Sequence, residues 1–481
     1  MQSIKEKTIS GVKWSAIERF STQGVTFLLG LILARLLSPS DFGVVGMLTI
    51  FFSISQTFID SGFSNALIRK IDRTEQDFST VFYFNIVVGV LCYFVLFFLA
   101  PYIAEFYRMP ILTSVTRVLA LTMFLNSLIV VQVALFTIRI DFKNQAKINF
   151  VSAIVSGIVG VVLAYQGFGV WALVYQSIAR SLVCVILFWA LAKWRPLLSF
   201  SWSSFKSLFS FGSKLLASNL LHTFYSNMTN LVIGKFYSSK DLGFYDRGQQ
   251  FARIPMDTSV SILQRVTFPI MSTIQNEDER LIELYRKYIK LSSIPIFFFL
   301  FLLAALAKPI ITILLTERWL DSVIYLQLYC FAQMFTHITR LNLNLLQVKG
   351  RSDLFLKLEI VKKSVSLLLL FVSIPFGVIA ICLSQVIYEQ IALYINTYYT
   401  GKLFGLSYLA QVKDFIKYLM LSVVSCFPAF LLAQTNTNLY LVLLFGSIIS
   451  LILYGLFLLK DQLFVDLSKL VIYAIIGKKT D

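Results

Sequence analysis

The chain has 481 residues, of which 57% are hydrophobic and 14% are charged, and its formal net charge is +17. A water-soluble domain of this composition would have too few polar residues to cover its core, so the composition excludes that class of protein. Apolar stretches of about 20 residues recur along the chain, which is the length that a helix needs to cross a bilayer core of about 30 Å. The sequence therefore predicts an all-α, multi-pass membrane protein.

The apolar stretches predict about fourteen transmembrane helices by this length criterion. In chain order they cover residues 12–37, 41–64, 80–101, 112–136, 147–166, 169–192, 208–234, 243–270, 288–315, 322–346, 358–376, 378–400, 413–433 and 438–459. No connection between them is long enough to fold as a separate domain. We therefore expect the function to reside within the bilayer or at its two faces.

Lysine and arginine are concentrated in alternate connections, whereas the other connections, such as SPSD, QGFG, SSKD and PFG, are short and carry few of them. Because short basic loops stay on the cytoplasmic side, this asymmetry predicts that both termini are cytoplasmic. Much of the net charge is then a topology signal. Nucleic-acid binding is not expected, since no soluble basic domain is present to carry it.

One apolar stretch and the turn that follows it occur twice. LILARLLSPSDFG at residues 31–43 is echoed by LVIGKFYSSKDLG at residues 231–243. Two further pairs follow at a similar offset: GFGVWALVYQSIAR at 167–180 with PFGVIAICLSQVIYE at 375–389, and LFTIR at 135–139 with LLQVK at 345–349.

The echoes predict two six-helix repeats of the same orientation, related by a pseudo-twofold axis along the membrane normal and placed around a central cavity. We assign residues 1–200 to an N-lobe, 201–403 to a C-lobe and 404–481 to a terminal helix pair with a cytoplasmic tail. Transporters built from such parallel repeats work by rocking one lobe against the other.

Polar side chains inside the spans form stripes at helical spacing. The three stripes are Ser15, Arg19, Thr22 and Thr26; Asn219, His222, Ser226 and Asn230; and Gln333, His337, Arg340 and Asn344. At the repeat offset the first stripe lies over the second, with Arg19 matching Asn219 and Thr22 matching His222. Equivalent helices of the two lobes are thus expected to line one hydrated cavity.

Several charged residues also fall within or at the edge of predicted spans. They are Glu18, Arg19, Asp60, Arg180, Arg253, Asp257, Arg265, Arg340 and Glu389. A charged side chain at mid-membrane costs about 3 kcal/mol on insertion scales, so it rarely faces lipid. Each of these residues either lines the cavity or pairs with a neighbouring helix or snorkels to the headgroups. His222 and His337 are interhelical polar contacts or proton relays.

The N-terminal segment GVKWSAIERF, followed by LARLLSPSDFGVVG, resembles the start of Wzx-type polysaccharide flippases, close to the WzxC-like branch of the multidrug/oligosaccharidyl-lipid/polysaccharide (MOP) superfamily. This resemblance implies translocation of undecaprenyl-pyrophosphate-linked oligosaccharide repeat units across the bacterial inner membrane. It also implies a monomer that works with a polysaccharide polymerase and a chain-length regulator. A pyrophosphate needs cations, and arginine binds phosphate oxygens through two parallel hydrogen bonds.

The candidate substrate-binding residues are Arg19, Thr22, Thr26, Arg180, Asn219, His222, Ser226, Arg253, Arg265, His337 and Arg340. The candidates for coupling transport to an ion are Glu18, Asp60, Asp257 and Glu389. Of the arginines, the resemblance supports Arg19 in the first span and Arg265 in the eighth.

Two other functions are compatible with a chain of this kind. A drug or cation exporter of the same superfamily would have a cavity rich in acids and aromatic residues, whereas these spans are richer in arginine. A membrane polymerase or ligase would carry a long outward loop, whereas every predicted outward connection is short. The chain shows no catalytic, metal-binding or cofactor motif, and its five cysteines lie in apolar runs as reduced packing residues. A transporter without metal or cofactor is therefore predicted.

Overall fold

A computed structural model describes residues 21–60, 62–435 and 437–465. All regular secondary structure in these ranges is helical. The chain divides into two compact units, Met1–Gly243 and Phe244–Asp481.

The first unit contains ten helices in its described part and the start of an eleventh. They are α1 (Ser21–Leu36), α2 (Pro39–Asp60), α3 (Phe63–Arg69), α4 (Glu75–Tyr107), α5 (Ile111–Leu119), α6 (Leu121–Ser127), α7 (Val130–Ile138), α8 (Phe142–Tyr165), α9 (Val170–Ala192), α10 (Trp202–Phe236) and α11 (Ser239–Thr273).

The second unit begins within α11 and continues with eight further helices. They are α12 (Asp278–Ala305), α13 (Ala307–Leu315), α14 (Ser322–Gln333), α15 (Thr336–Val348), α16 (Ser352–Ser373), α17 (Val378–Phe404), α18 (Tyr408–Ala433) and α19 (Leu439–Leu458). Short 3₁₀ turns at Glu317–Trp319 and Ile374–Phe376 precede α14 and α17.

Nine helical segments of the described chain are long and apolar enough to cross a membrane, which confirms a multi-pass membrane protein. They are Pro39–Arg69, Glu75–Tyr107, Ile111–Ile138, Phe142–Tyr165, Val170–Ala192, Asp278–Ala305, Val378–Phe404, Tyr408–Ala433 and Leu439–Leu458. The described parts of the other predicted spans also coincide with helix, but these spans carry more charge or consist of shorter helices. The predicted range 322–346, for example, is split into α14 and α15, of 12 and 13 residues. The number fourteen stays a prediction.

The echoed turns adopt the same structure at their two places in the chain. The Ser38 hydroxyl donates to Asp41 Oδ2 at 2.6 Å, and the Asp41 backbone N–H donates back to Ser38 Oγ at 3.3 Å. Ser238 and Asp241 repeat both contacts at 2.6 and 3.1 Å. Each serine thus caps the helix that follows it, α2 in one case and α11 in the other, by satisfying N–H groups that the first turn leaves free.

Within the first unit, α2 and α10 pack side by side along their length. The contacts pair Thr57 with Thr223 and Met47 with Gly234. They continue at the two ends, where Gly62, just after α2, meets Gly212, and Gly43 meets Ser239, just after α10. The numbers fall along one helix as they rise along the other, so the two helices run antiparallel. Glycines at three of these levels allow the backbones to approach closely, as small residues do between membrane helices.

In the second unit a buried carboxylate joins α12 to α18. Asp414 is 3% exposed and accepts two hydrogen bonds of 2.8 Å from the Arg286 guanidinium, while Lys290 Nζ lies 3.4 Å away. One turn earlier on α18, Gln411 exchanges hydrogen bonds with Asn342. These contacts satisfy polar groups that would otherwise be costly to bury in a packed helical interior. All five cysteines are free and buried, as predicted.

Candidate substrate-binding surfaces

The first predicted stripe is described only in part. Glu18 and Arg19 lie outside the described residues. Thr26 is exposed on α1, and the half-buried Thr22 has a hydroxyl without a hydrogen-bond partner among the residues that the structure covers. The two threonines stand four residues apart and therefore on one face of the helix.

The second stripe forms an exposed polar face on α10. Asn219, His222 and Ser226 are all exposed, and the Ser226 hydroxyl donates to the His222 carbonyl at 2.8 Å. At 3.6 residues per turn, the exposed apolar side chains Leu221 and Phe224 project from a different side of the helix. The helix thus separates a polar face from an apolar one. That separation is expected where one side meets water or substrate and the other meets lipid.

Asp60 is the last residue of α2, and two successive side-chain hydrogen bonds connect it to α6. Gln56 Nε2 donates to Asp60 Oδ1 at 3.1 Å, and Asn126 Nδ2 of α6 donates to Gln56 Oε1 at 2.9 Å. The two amides orient one carboxylate oxygen of an exposed residue. The arrangement could hold or pass on a proton or a cation.

A cluster of four charged residues lies on three successive helices of the second unit: Arg340 on α15, Glu359 and Lys362 on α16, and Glu389 on α17. Lys362 is 4% exposed and forms an ion pair with Glu359. Arg340 and Lys362 both act electrostatically on Glu389, which places the four groups near one another. We call these residues the α15–α17 cluster. It contains two cations and two acids, and Arg340 is its exposed member.

The cluster continues toward α11 through Tyr329 of α14. Tyr329 is within electrostatic range of Arg253, Asp257 and Glu389. Arg253 and Asp257 are exposed and stand four residues apart on α11. Three of the predicted site residues in the second unit, Arg253, Asp257 and Glu389, therefore lie near Tyr329.

His337 is fully buried, unlike Arg340 of the same stripe, which is exposed. The Nε2 of His337 lies 3.1 Å from the Ser293 hydroxyl, and its ring packs edge-on against Phe297 at 5.3 Å between centroids. Asn344 is likewise buried and donates to Thr267 at 3.4 Å. Both positions fit interhelical contacts, which the sequence analysis gave as the alternative to a cavity role.

The two remaining arginines of the prediction are exposed on separate helices. Arg180 lies on α9 of the first unit and Arg265 on α11 of the second. Neither has an ion-pair partner among the described residues. Their exposure is compatible with binding an anion.

Sequence reasoning missed Glu359, Lys362 and Tyr329. The signal for the first two was present, because an acid and a lysine three residues apart inside an apolar run form an ion pair on one helix face. Tyr329 gave no such signal, since it is one of 22 tyrosines in the chain.

The described fold defines a class of protein. The chain resembles a solved structure titled "Lipid II flippase MurJ, inward closed conformation", with a TM-score of 0.72 and 13% identity over 96% of this chain and 99% of that one. It also resembles an inward-facing multidrug resistance MATE family transporter of the MOP superfamily, with a TM-score of 0.58 and 15% identity over 85% and 98% of the two chains. The protein has the multi-pass helical fold that these two structures share.

The family follows from the sequence comparison. Residues 32–324, more than half of the chain, match the family described as "Polysaccharide biosynthesis protein", and the chain belongs to that family. It is 28% identical over 357 residues to the teichuronic acid biosynthesis protein TuaB of Bacillus subtilis, covering 74% of each chain. It is 25% identical over 366 residues to the lipopolysaccharide biosynthesis protein WzxC of Escherichia coli, covering 75% of this chain and 74% of the relative. The resemblance to Wzx-type proteins is confirmed.

Proposed function

We propose that this protein is a flippase that moves undecaprenyl-pyrophosphate-linked oligosaccharide repeat units across the bacterial inner membrane for surface polysaccharide synthesis. Family membership and the names of the relatives support a role in polysaccharide biosynthesis. The likeness to a lipid II flippase supports the fold that such a role would use. The lipid tail would stay in the bilayer while the sugar-diphosphate head crosses.

The observation that carries the proposal is the α15–α17 cluster with its extension to Arg253. A diphosphate is a compact anion, and guanidinium groups bind it through paired hydrogen bonds. Arg340 is exposed, so it can offer these donors to an entering ligand. Lys362 is held beside Glu359, which keeps its ammonium charge balanced when the substrate is absent.

The exposed polar face of α10 is the proposed binding surface for the sugars. Hydroxyl-rich ligands are bound by side chains that both donate and accept hydrogen bonds, which Asn219, His222 and Ser226 can do. Thr22 and Thr26 of α1 would add hydroxyls of the same kind.

The proposal includes the topology predicted from the sequence. In it, about fourteen spans form two six-helix lobes and a terminal pair, both termini are cytoplasmic, and the lobes alternate access to the two sides of the membrane. Asp60, Asp257 and Glu389 are the described candidates for coupling this movement to protons or cations. A polysaccharide polymerase and a chain-length regulator would act on the delivered units, and the flippase itself would be a monomer.

A flipping assay tests the function directly. Purified protein is placed in vesicles containing a fluorescent oligosaccharide on undecaprenyl pyrophosphate, and an impermeant quencher reports the fraction on the outer leaflet. We expect the protein to make the inner-leaflet pool accessible. Arg340→Ala should slow this exchange, whereas Arg318→Ala, which changes an exposed arginine of the same unit outside the cluster, should not.

The rival functions give different results in the same vesicles. Ion-driven export of cationic dyes without movement of the lipid-linked sugar would identify a drug exporter and refute the proposal. Formation of a longer glycan from two lipid-linked units would identify a polymerase and refute it as well.

A further inference from the structure

A charged groove runs along the first half of α12, apart from the surfaces described above. Its volume is about 420 Å³. Its lining residues are Glu279, Ile282, Glu283, Arg286, Lys287, Lys290 and Leu463. Six of the seven lining residues lie on α12. Each is three or four residues from another of them, so together they form one face of the helix. We call this feature the α12 groove.

The groove is expected to lie at the level of the lipid headgroups. α12 is one of the membrane-crossing helices, and its apolar part, IPIFFFLFLLAA, begins at Ile294, just after the groove ends at Lys290. The opposite wall is formed by Leu463, which follows the membrane-crossing helix α19 by five residues. A ligand in the groove would therefore sit at the edge of the hydrocarbon core.

The charges of the groove are ordered by depth. The cations Arg286, Lys287 and Lys290 lie next to the apolar part of α12, and the acids Glu279 and Glu283 lie farther out along the helix. Arg286 and Lys290 are held in place by the buried carboxylate of Asp414. The cationic side of the groove is thus fixed in position before any ligand arrives.

The acidic side of the groove has no internal partner. Glu279 and Glu283 form no ion pair or hydrogen bond through their side chains with the residues that the structure describes. An acid in the first turn of a helix is stabilised by the helix dipole, which accounts for Glu279. Glu283 stands in the second turn, where this effect has largely faded, and it is exposed beside the cations of the groove.

We propose that the α12 groove binds the headgroup of an aminophospholipid, phosphatidylethanolamine. The phosphate of this lipid lies beside the hydrocarbon and its ammonium group projects toward water, which is the order of the cations and acids along α12. Arg286, Lys287 and Lys290 would hold the phosphate, and Glu283 and Glu279 the ammonium. Ile282, at the level of Glu283, would contact the methylene groups of the ethanolamine, and Leu463 would contact the glycerol. An anionic lipid such as phosphatidylglycerol offers the phosphate but no ammonium group to pair with the acids.

The test compares the two lipids on the full-length purified protein. The protein is titrated with dioleoyl phosphatidylethanolamine or dioleoyl phosphatidylglycerol in detergent, and native mass spectrometry counts the lipid retained while thermal unfolding reports stabilisation. We expect phosphatidylethanolamine to be retained more and to raise the unfolding temperature more. Glu283→Gln should lower the ratio of the two lipids by about threefold to fivefold, the effect of losing one exposed ion pair.

Glu277→Gln is the matched control. Glu277 is an exposed acid one residue before α12, is paired with Arg280 and does not line the groove, so its substitution should leave the lipid ratio unchanged. Equal or stronger retention of phosphatidylglycerol by the unmodified protein would overturn the proposal, and so would a Glu283→Gln variant with an unchanged ratio. The result is independent of flipping activity, so failure of the proposed function and failure of the lipid site are distinguishable.

Discussion

Gly43 of α2 lies directly against the backbone carbonyl of Ser239, so closely that a Cβ at residue 43 would overlap the carbonyl oxygen. Gly243 of α11 lies in the same way against the carbonyl of Pro39. The hydroxyl groups of Ser40 and Ser239 are 2.7 Å apart at this crossing. The two capped turns therefore meet at one point, and each glycine admits the backbone of the other turn.

Adding a methyl group at this crossing is expected to destabilise the protein. Gly43→Ala places a Cβ where the Ser239 carbonyl stands, and backbone cannot give way as a flexible side chain can. We expect a loss of about 1–3 kcal/mol in the free energy of unfolding, the range for overpacked sites. Thermal unfolding in detergent measures it. Gly455→Ala serves as the control, because nothing lies within 4 Å of a Cβ at that helical position; equal unfolding temperatures for the two variants would contradict the prediction.

A disulfide across the crossing is expected to stop flipping. Cysteines at Ser40 and Ser239 would replace hydroxyls that already touch, a separation that a disulfide can bridge. If the predicted lobes open to the outside by parting at these turns, the linked protein stays closed. Flipping should fall on oxidation and return with a reductant, and the single-cysteine variants should keep their activity under both conditions. Full activity of the fully linked protein would show that the crossing does not open during transport.

Replacing Lys362, the buried cation of the α15–α17 cluster, is expected to lower the stability of the protein. A second variant distinguishes this effect from an effect on transport. Lys362→Met leaves Glu359 without its partner beside Glu389, and breaking a buried pair costs about 3–5 kcal/mol. Lys357→Met, at an exposed position one turn and a half earlier, should cost little.

Changing both members of the pair distinguishes a substrate contact from a structural one. The Glu359→Gln, Lys362→Met double variant removes both charges and should regain membrane abundance. Its flipping rate should remain low if Lys362 also contacts the diphosphate. Recovery of both abundance and flipping would limit Lys362 to a structural role.

Arg19 remains the sharpest prediction from the first stripe. The sequence places Arg19 inside the first predicted span, where an arginine facing lipid would cost about 3 kcal/mol. If it binds the pyrophosphate, Arg19→Ala should abolish flipping at normal membrane abundance, and Arg19→Lys should restore it only in part because a point charge cannot form two parallel hydrogen bonds. If it pairs with an acid instead, Arg19→Ala lowers abundance, and removal of that acid restores it. Membrane level and surface polymer measured in the same strains separate the two outcomes.

The helices and the echoed turn could be predicted because each has a local signal. Apolar length marks the spans, and the serine–aspartate pair at the start of α2 and α11 marks a capped helix wherever it occurs. The break between α14 and α15 could not be predicted, since residues 333–336, QMFT, contain neither proline nor glycine. The chain turns there for reasons of packing, which a hydropathy pattern does not record.

The candidate site could be predicted only where charge inside an apolar run is unusual. That rule identified Arg340 and Glu389, which the structure places in one cluster. It could not separate an exposed polar residue such as His222 from a buried one such as His337, because both stand on stripes with the same spacing. Burial is decided by the helices that pack against each stripe, and these come from distant parts of the chain.

The contacts of Gly43 with Ser239 and of Gly243 with Pro39 are reciprocal. Adding 200 to the first residue number and subtracting 200 from the second converts one contact into the other. Reciprocal contacts of this kind are the mark of an isologous interface, in which two copies of one chain present the same patch to each other. If the two halves are the repeats that the sequence predicts, this crossing is the contact that two copies of one half-length chain would form. Neither glycine can enlarge without displacing the backbone of the other turn, so the two positions constrain each other.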